Sequence, residues 1–249
     1  MSELVTLERL EHACVVTFNR TEKLNAISAE VERELCAALE NPTLVQAPCV
    51  IFTGGPRVFS AGADVNELGG LDPASIVSYY DGTGDFPERV ANLPQPTFSA
   101  ISGYCLGGGL ELAAATDFRI ADESAVFGLP EVELGILPSW GGTHRLVRLL
   151  GPARAKELIF LRERFSAAEA HRLGLVTDVV AAGEALERAL AHAARIASLP
   201  GLAVRVTRRV IDAMPESSRA AGLELERLAY GLLAQDPSAD AATERIRNR

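Results

Sequence analysis

The sequence lacks the motifs that mark several common classes of enzyme. It contains neither GxGxxG nor GxxxxGK[ST], so the dinucleotide-binding fingerprint and the P-loop are both absent. No serine lies in a GxSxG motif, which argues against a Ser-His-Asp hydrolase of the common type. The four histidines are isolated, without HExxH or Cys/His clustering, which favours structural or solvated roles over metal ligation. We therefore predict no metal site.

Cysteine, long apolar runs and excess positive charge are also scarce. Four cysteines occur, none in CxxC spacing, and buried free thiols are favoured over disulfides or a metal cluster. The formal net charge of −9 argues against non-specific binding to nucleic acid or to an anionic membrane. There is no apolar run of roughly 18 residues, and the first residues lack the basic and apolar regions of a signal peptide. We expect no membrane span and a cytoplasmic protein.

The hydrophobic pattern of the 249 residues predicts an α/β domain followed by helices. Short apolar strands alternate with helices and polar loops, which is typical of parallel strand pairing. Strands are predicted at residues 4–10, 14–18, 48–52, 96–101, 118–121, 125–127 and 175–180. Amphipathic helices are predicted at residues 184–198, 201–213 and 217–234, with a short helical tail beyond residue 237. We predict a core over residues 1–180 and a helical region over residues 181–249.

Local signals refine the helix boundaries. Ser28 has the position of a helix N-cap, and residues 166–169 (SAAE) form a capping box whose helix would stop at Gly174. Residues 66–93 contain two glycine-rich stretches, GG and DGTGD, which predict a mobile loop.

Three consecutive glycines, Gly107 to Gly109, run directly into a segment of good helix formers. Glycine repeated in this way marks a close backbone approach or an unusual dihedral angle. The pattern predicts a glycine turn that feeds a helix N-terminus, where backbone N–H groups are free. Glu111 follows Gly108 by three residues, so both would lie on one face of the helix and look into one cleft. A close-packed helix start with a solvated glutamate is the alternative.

Two other segments could supply a backbone N–H donor or a carboxylate. Residues 59–65 (FSAGADV) follow a predicted strand, and their small side chains would let a ligand touch the backbone N–H of Ala63. A tight turn with Asp64 as a helix N-cap is the alternative there. Residues 127–135 (FGLPEVELG) form an apolar turn that presents Glu131, for which a surface glutamate is the alternative.

Together the three segments could supply one reaction centre. Two backbone donors that converge on one oxygen form an oxyanion hole, which stabilises charge that develops on a carbonyl group. If the carbonyl belongs to a thioester, that charge is an enolate, and chemistry follows at the α and β carbons. Two nearby carboxylates can activate a water molecule and deliver a proton.

The three segments resemble motifs of the crotonase, or enoyl-CoA hydratase/isomerase, superfamily. The resemblance rests on residues 59–64 (FSAGAD), 103–113 (GYCLGGGLELA) and 127–131 (FGLPE). Further similar segments are the N-terminal CoA loop at residues 23–28 (KLNAIS), the glycine-rich helix start at residues 141–146 (GGTHRL) and residues 166–176. The match covers about residues 5–180 in the same order, and this order makes it specific, because any single motif would be weak.

The resemblance implies a fold and a set of site residues. The fold would be a crotonase-like spiral of ββα units with C-terminal helices that build trimers, commonly paired into hexamers. Carried over by position, the oxyanion donors would be the N–H groups of Ala63 and Gly108, and the acid/base pair would be Glu111 and Glu131. The coenzyme A moiety would lie along Lys23, Leu24, Ala26, Arg57, Ala61, Asp64 and Val65. Of these, the two basic residues would lie near phosphates, with solvated basic side chains as the alternative.

Two segments depart from the family pattern. Where relatives often have PGAGGT, this chain has PSWGGT at residues 138–143, which contains its only tryptophan, Trp140. We expect Trp140 and Leu68 to shape the acyl pocket, with plain packing as the alternative for the tryptophan. Ala242 falls where relatives often place a phenylalanine that helps a neighbouring subunit to hold coenzyme A.

Retention of both acids favours a hydratase within this superfamily. The expected reaction is syn addition of water to a trans-2-enoyl-CoA, which gives a 3-hydroxyacyl-CoA through a thioester enolate. The alternatives are a Δ3,Δ2-enoyl-CoA isomerase, another acyl-CoA enzyme of the superfamily, or a non-catalytic acyl-CoA-binding relative. Coenzyme A would arrive as part of the substrate, so no separate cofactor is expected. The expected partners are the acyl-CoA and further copies of the chain in a homotrimer or hexamer, and neither nucleic acid nor a membrane.

Overall fold

A computed structural model describes residues 3–67 and 72–237 together with Arg247. The strands are β1 (Val5–Arg9), β2 (Cys14–Phe18), β3 (Val50–Thr53), β4 (Thr97–Ile101), β5 (Tyr104–Leu106), β6 (Phe118–Asp122), β7 (Val126–Gly128), β8 (Phe165–Ser166) and β9 (Asp178–Val180). The helices are α1 (Ala29–Glu40), α2 (Pro42–Val45), α3 (Pro73–Tyr80), α4 (Phe86–Ala91), α5 (Gly108–Ala115), α6 (Gly142–Leu150), α7 (Pro152–Phe160), α8 (Ala167–Leu173), α9 (Ala185–Ala197), α10 (Gly201–Ala213) and α11 (Arg219–Leu233). Short 3₁₀ turns occur at Thr21–Lys23, Thr83–Asp85, Pro130–Leu134 and Met214–Glu216.

Two sheets organise the chain. The larger has the strand order β1-β2-β3-β4-β6-β9, and the smaller has the order β5-β7-β8. An antiparallel hairpin joins β1 to β2, whereas β2, β3, β4, β6 and β9 pair in parallel. Parallel neighbours need long connections, and here helices supply them. The predicted α/β architecture with parallel pairing is therefore confirmed.

The larger sheet is buried on both faces. Val16 and Phe52 belong to the main core on one face, and Val15 and Ile51 belong to a second core on the other. Alternate residues of a strand face opposite sides, so strands covered on both faces show continuous apolar runs. The second core is completed by α9, whose buried alanines are Ala185, Ala189 and Ala193. This helix lies in the predicted helical region beyond residue 180, yet it is part of the packing of the sheet.

An ion pair and two hydrogen bonds hold α10 to the segments that precede β4 and β6. Nε of Arg208 lies 2.8 Å from both carboxylate oxygens of Asp117, and its two Nη atoms donate to the carbonyl oxygens of Ala91 and Leu93 at 2.8 Å. Both charged side chains are largely buried, and the planar guanidinium fixes the geometry of all four contacts. None of the described helices is both long and apolar enough to cross a membrane.

Most local signals are confirmed. Oγ of Ser28 accepts from the N–H of Val31 at the start of α1, and Oγ of Ser166 accepts from the N–H of Glu169 at the start of α8. Helix α8 ends at Gly174, which is in the left-handed conformation. The cysteines are buried and unpaired, as predicted: Cys14, Cys36, Cys49 and Cys105.

The loop prediction for residues 66–93 is wrong for residues 72–92, which contain helices α3 and α4. Asp72 caps α3, because its Oδ1 accepts from the N–H groups of Ala74 and Ser75 at 2.9 and 3.1 Å. An N-cap aspartate followed by proline at the first helical position is a helix-start signal, and the nearby glycines obscured it. Leu68 and the C-terminal segment with Ala242 lie outside the described residues.

The predicted glycine turn into a helix is confirmed, since Gly107 has a φ angle of +48° and α5 begins at Gly108, but a strand that the sequence did not predict precedes it. Residues 104–106 form β5, a strand of three residues that pairs in parallel with β7. Such a short strand carries no measurable alternation of polar and apolar residues, so periodicity could not reveal it.

Candidate active site

Three loops meet at one edge of the larger sheet. They follow β2, β3 and β4, which are adjacent and parallel, so their carboxyl ends lie side by side. Backbone hydrogen bonds join the loops. Between the loops after β2 and β3, the N–H of Ala61 donates to the oxygen of Leu24 (2.9 Å), and the N–H of Ile27 donates to the oxygen of Gly62 (2.8 Å). Between the segments after β3 and β4, the N–H of Ser60 donates to the oxygen of Tyr104 (2.9 Å), and the N–H of Leu106 donates to the oxygen of Ser60 (3.0 Å). The loops thus form one continuous backbone network, and two of the three predicted site segments, residues 59–65 and the glycine turn before α5, lie within it.

Two glycine turns touch at the centre of this network. Gly62 and Gly107 have φ angles of +97° and +48°, a conformation that L side chains rarely adopt. A Cβ atom placed on Gly62 would lie 2.9 Å from the carbonyl oxygen of Leu106 and 3.2 Å from the nitrogen of Gly108. Only glycine at position 62 allows this contact, which brings the backbone of Ala63 next to Gly108.

The N–H groups of Ala63 and Gly108 are both free. Neither donates a hydrogen bond to any group in the part of the chain that the structure describes. Gly108 is the first residue of α5, where N–H groups have no intrahelical acceptor. On either side of Ala63, the oxygen of Gly62 and the N–H of Asp64 both bond to Ile27, so the N–H of Ala63 faces away from that residue. Two adjacent donors are therefore available to an external acceptor.

Glu111 is a buried carboxylate in the first turn of α5. Its Oε1 accepts from the backbone N–H groups of Trp140 (2.8 Å) and Gly142 (2.9 Å). Burial raises the pKa of Glu111 to about 7, and the negative charge of Glu131 adds to this, whereas the two N–H donors oppose it. Glu111 is therefore both fixed in position and able to exchange a proton near neutral pH.

Glu131 is the second buried carboxylate, in the 3₁₀ turn after β7. Its Oε2 is buried and has no hydrogen-bond partner among the described residues. Burial raises the pKa of Glu131 above its ordinary value. A Cβ atom on Gly107 would lie 2.9 Å from its Oε1, so the carboxylate lies directly against the glycine turn. The structure thus brings both predicted acids beside the free donors.

Trp140 lies against the same turn. A Cβ atom on Gly108 would be 2.2 Å from Cζ3 of the indole, so the ring packs on the backbone of that glycine. The ring of Phe86 meets the indole edge-on, with ring centroids 4.9 Å apart. The indole N–H donates to the hydroxyl of Tyr79 at 2.9 Å. The sequence predicted that Trp140 shapes the acyl pocket, but it indicated neither Phe86 nor Tyr79 as a partner of the indole.

Several of the residues expected to contact coenzyme A are exposed on the loops after β2 and β3. Lys23 and Arg57 are exposed and form no ion pair within the described ranges. The side chains of Leu24 and Val65 are 47% and 65% exposed. The backbone of Ala61 joins this group to the loop that contains Leu24.

Asp64 has a different environment from its neighbours. Its carboxylate is buried and pairs with Arg20, whose Nη1 lies 2.7 Å from Oδ2, and it also accepts from Asn66. The hydrogen bond from Arg20 lowers the pKa of Asp64 to about 2. The carboxylate therefore holds the loop after β2 to the loop after β3. Sequence reasoning missed Arg20, since the two partners are far apart in the chain.

Asn25 is another residue that sequence reasoning missed. Its φ angle is +52°, and its buried Nδ2 donates to the carbonyl oxygens of Gly54 and Val58 at 3.1 and 2.9 Å. The hydroxyl of Ser60 donates to the carbonyl oxygen of Asn25 at 2.8 Å. Asparagine tolerates the left-handed region better than most residues, and this tolerance is the signal that could have identified it.

Within the described ranges, no group of three or more His, Cys, Asp or Glu side chains could hold a metal ion. The absence of a metal from the reaction remains a prediction from the sequence.

Known proteins resemble this chain along its length. A family profile described as enoyl-CoA hydratase/isomerase matches residues 8–241. A probable enoyl-CoA hydratase of Rhizobium meliloti is 41% identical over 90% of this chain and 87% of its own length. A short-chain-enoyl-CoA hydratase of Clostridium acetobutylicum is 36% identical over 98% of this chain and 95% of its own. The solved structure of an enoyl-CoA hydratase from Bacillus anthracis superposes with a TM-score of 0.89 at 36% identity, covering 99% of this chain and 97% of that one.

The raised pKa of Glu111 predicts a specific dependence of stability on pH. Below about pH 4.5 the carboxyl group is neutral in both the folded and the unfolded chain, and its burial then carries no charge penalty. Between about pH 4.5 and pH 7 the unfolded chain ionises while the folded chain keeps the proton, so stability falls, by up to about 3 kcal/mol for a shift of this size. Because glutamine does not ionise, the unfolding free energy of Glu111→Gln minus that of the wild type should increase from about pH 5 to about pH 8.

Denaturant unfolding at several pH values and one protein concentration measures this difference. Glu224→Gln is the matched control, since Glu224 forms an exposed pair with Arg227, and its difference from the wild type should stay nearly constant. If the unfolding free energy of Glu111→Gln minus that of the wild type does not change with pH, the raised pKa of the buried Glu111 carboxyl group is contradicted.

Proposed function

Because the chain belongs to the enoyl-CoA hydratase/isomerase family, we propose that it adds water to trans-2-enoyl-CoA thioesters. One observation carries the proposal: two buried carboxylates, Glu111 and Glu131, lie beside two free backbone donors. Hydration needs one group to take a proton from water and another to give a proton to carbon. A chain with both acids in place has the groups for both tasks.

The thioester oxygen would accept hydrogen bonds from the N–H groups of Ala63 and Gly108. These donors would draw electron density from the conjugated double bond, which makes C3 electrophilic and stabilises the enolate that forms when oxygen adds there. Both donors are held by glycine turns, so little reorganisation would be needed as charge develops on the oxygen. Groups held in place before reaction stabilise a transition state more than groups that must move.

The two carboxylates would handle the water and its protons. Two N–H donors fix Oε1 of Glu111, which leaves Oε2 to orient the water. One carboxylate takes a proton as the water oxygen bonds to C3, and the other, protonated, carboxyl gives a proton to C2. The product is the 3-hydroxyacyl-CoA, and one proton transfer between the acids restores the starting state. Syn addition follows if both acids act on one face of the double bond.

The coenzyme A moiety would follow the exposed side of the three loops. Lys23 and Arg57 are the cations available to its phosphates, and Leu24 and Val65 offer apolar contact. The other expected contacts are Ala26, Ala61 and Asp64. The carboxylate of Asp64 already pairs with Arg20, so we assign this residue a backbone contact and a role in holding the loop.

We also propose that copies of the chain associate into a homotrimer, or into a hexamer of two trimers. The support is apolar surface on the C-terminal helices, where Leu225, Leu228 and Leu232, on one face of α11, are 36%, 66% and 56% exposed. Apolar residues grouped in this way mark a protein interface more often than free surface. Light scattering during size exclusion should give three or six chain masses at micromolar concentration, and a monomer mass would contradict the proposal.

The hydration proposal predicts severe losses from either carboxylate substitution. Glu111→Gln and Glu131→Gln should each lower kcat for crotonyl-CoA by about 10²- to 10⁴-fold, because neither glutamine can transfer a proton. Loss of absorbance of the conjugated thioester measures the rate. Glu133→Gln is the matched control, since Glu133 is exposed in the same 3₁₀ turn, and its kcat should equal that of the wild type.

Product analysis separates the proposal from its rivals. A wild-type chain that hydrates neither crotonyl-CoA nor any longer enoyl-CoA would contradict it. Conversion of a 3-enoyl-CoA to the 2-enoyl isomer without hydration would identify an isomerase. Tight acyl-CoA binding without turnover would identify a binding protein.

A further inference from the structure

A hydrogen-bonded chain of side chains leads from the core to Glu111. The buried carboxylate of Glu32, on α1, accepts from the hydroxyl of Tyr79 at 2.8 Å and from the hydroxyl of Thr83 at 2.7 Å. The Tyr79 hydroxyl in turn accepts from the indole N–H of Trp140 at 2.9 Å. The backbone N–H of Trp140 donates to Oε1 of Glu111 at 2.8 Å.

Trp140 is therefore the residue that joins both halves of the site. Its ring packs on Gly108, the proposed oxyanion donor, and its backbone binds Glu111, the proposed acid. The carbonyl oxygen of Trp140 accepts from Arg145 at 2.7 Å, and Phe86 packs against the edge of the ring. The ring is confined by Gly108, Phe86 and Tyr79, so a displaced indole would strain the Trp140 backbone that carries the donor to Glu111.

We infer that Tyr79 is a positioning residue of the active site, with Glu32 as its anchor. The Tyr79 hydroxyl holds the Trp140 indole on Gly108, and so keeps the Trp140 N–H aligned on Glu111. The inference rests on the proposed function, because it assigns Glu111 its proton-transfer role.

The environment of Glu32 supports a structural anchor. Glu32 is 4% exposed, and within the described ranges no cation lies at ion-pair distance from it, so its partners are two hydroxyl groups. Burial raises the pKa of Glu32. A buried carboxyl group held by hydroxyl donors fixes their orientation, and removal of the group would leave both hydroxyls without an acceptor.

Tyr79→Phe tests the inference, because it removes the hydroxyl and keeps the ring. We expect kcat for crotonyl-CoA to fall about 10- to 100-fold while KM changes less than about twofold, since the loss is of alignment and not of substrate contact. Tyr80→Phe is the matched control: Tyr80 is the next residue of α3, and its hydroxyl has no hydrogen-bond partner in the described part of the chain. Its kcat and KM should equal those of the wild type.

Substitutions at Glu32 provide a rescue test. Glutamine can accept from Tyr79 through its oxygen and donate to Thr83 through its nitrogen, so Glu32→Gln should keep kcat within about twofold of the wild type. Alanine removes both hydrogen bonds, so Glu32→Ala should lower kcat as much as Tyr79→Phe does. Equal losses in Glu32→Gln and Glu32→Ala would overturn the anchoring role.

A spectroscopic measurement reports the indole directly. Trp140 is the only tryptophan, so protein labelled with nitrogen-15 tryptophan gives a single indole N–H resonance. Tyr79→Phe and Glu32→Ala should both move this resonance towards that of a free indole, and Glu32→Gln should leave it in place. An unmoved resonance in Tyr79→Phe overturns the inference, and so does a moved resonance with unchanged kcat. If the wild type hydrates no enoyl-CoA, the proposed function fails, and the indole resonance still decides whether Tyr79 holds Trp140.

Discussion

The close contact between two glycine turns is the constraint on which the rest of the site depends. Gly62 meets Leu106 and Gly108 at distances that leave no room for a Cβ atom, so the loops after β3 and β4 share one backbone surface. The N–H of Ala63 is free because the groups on either side of it bond to Ile27, and the N–H of Gly108 is free because Gly108 begins α5. Unpaired donors are costly in a folded protein, and the surrounding ladder of backbone hydrogen bonds holds them in place.

The two buried carboxylates of the same region also destabilise the fold. Glu111 is buried with two N–H donors to one oxygen, and Glu131 is buried with one oxygen unpartnered. Burial raises the pKa values of both, which destabilises the ionised fold, and the pKa of Glu111, about 7, suits proton transfer near neutral pH. Trp140 donates to Glu111 through its backbone and packs on Gly108 with its ring, so it touches both the acids and the free donors.

The features of the fold and site that could be predicted from the sequence are those with local sequence signals. The start of α5 and the placement of Glu111 on it follow from helical spacing, and the strand alternation gives the α/β class. The pairs that sequence reasoning missed join distant segments, such as Arg20 with Asp64 and Tyr79 with Trp140, and no periodicity connects such partners. Helix α3 was missed for a different reason, because neighbouring glycines obscured its Asp-Pro start. The roles of the site residues came from the resemblance, and the fold around them is confirmed by solved relatives.

Polarisation of the substrate carbonyl is the most direct test of the central claim, that Ala63 and Gly108 act together on one oxygen. Infrared difference spectroscopy of crotonyl-CoA labelled with carbon-13 at the thioester carbonyl can be recorded on Glu111→Gln, which should bind the substrate without turning it over. Two hydrogen bonds to the oxygen should lower the stretching frequency of the carbonyl below its value in water. A bound carbonyl with the frequency found in water would contradict the account.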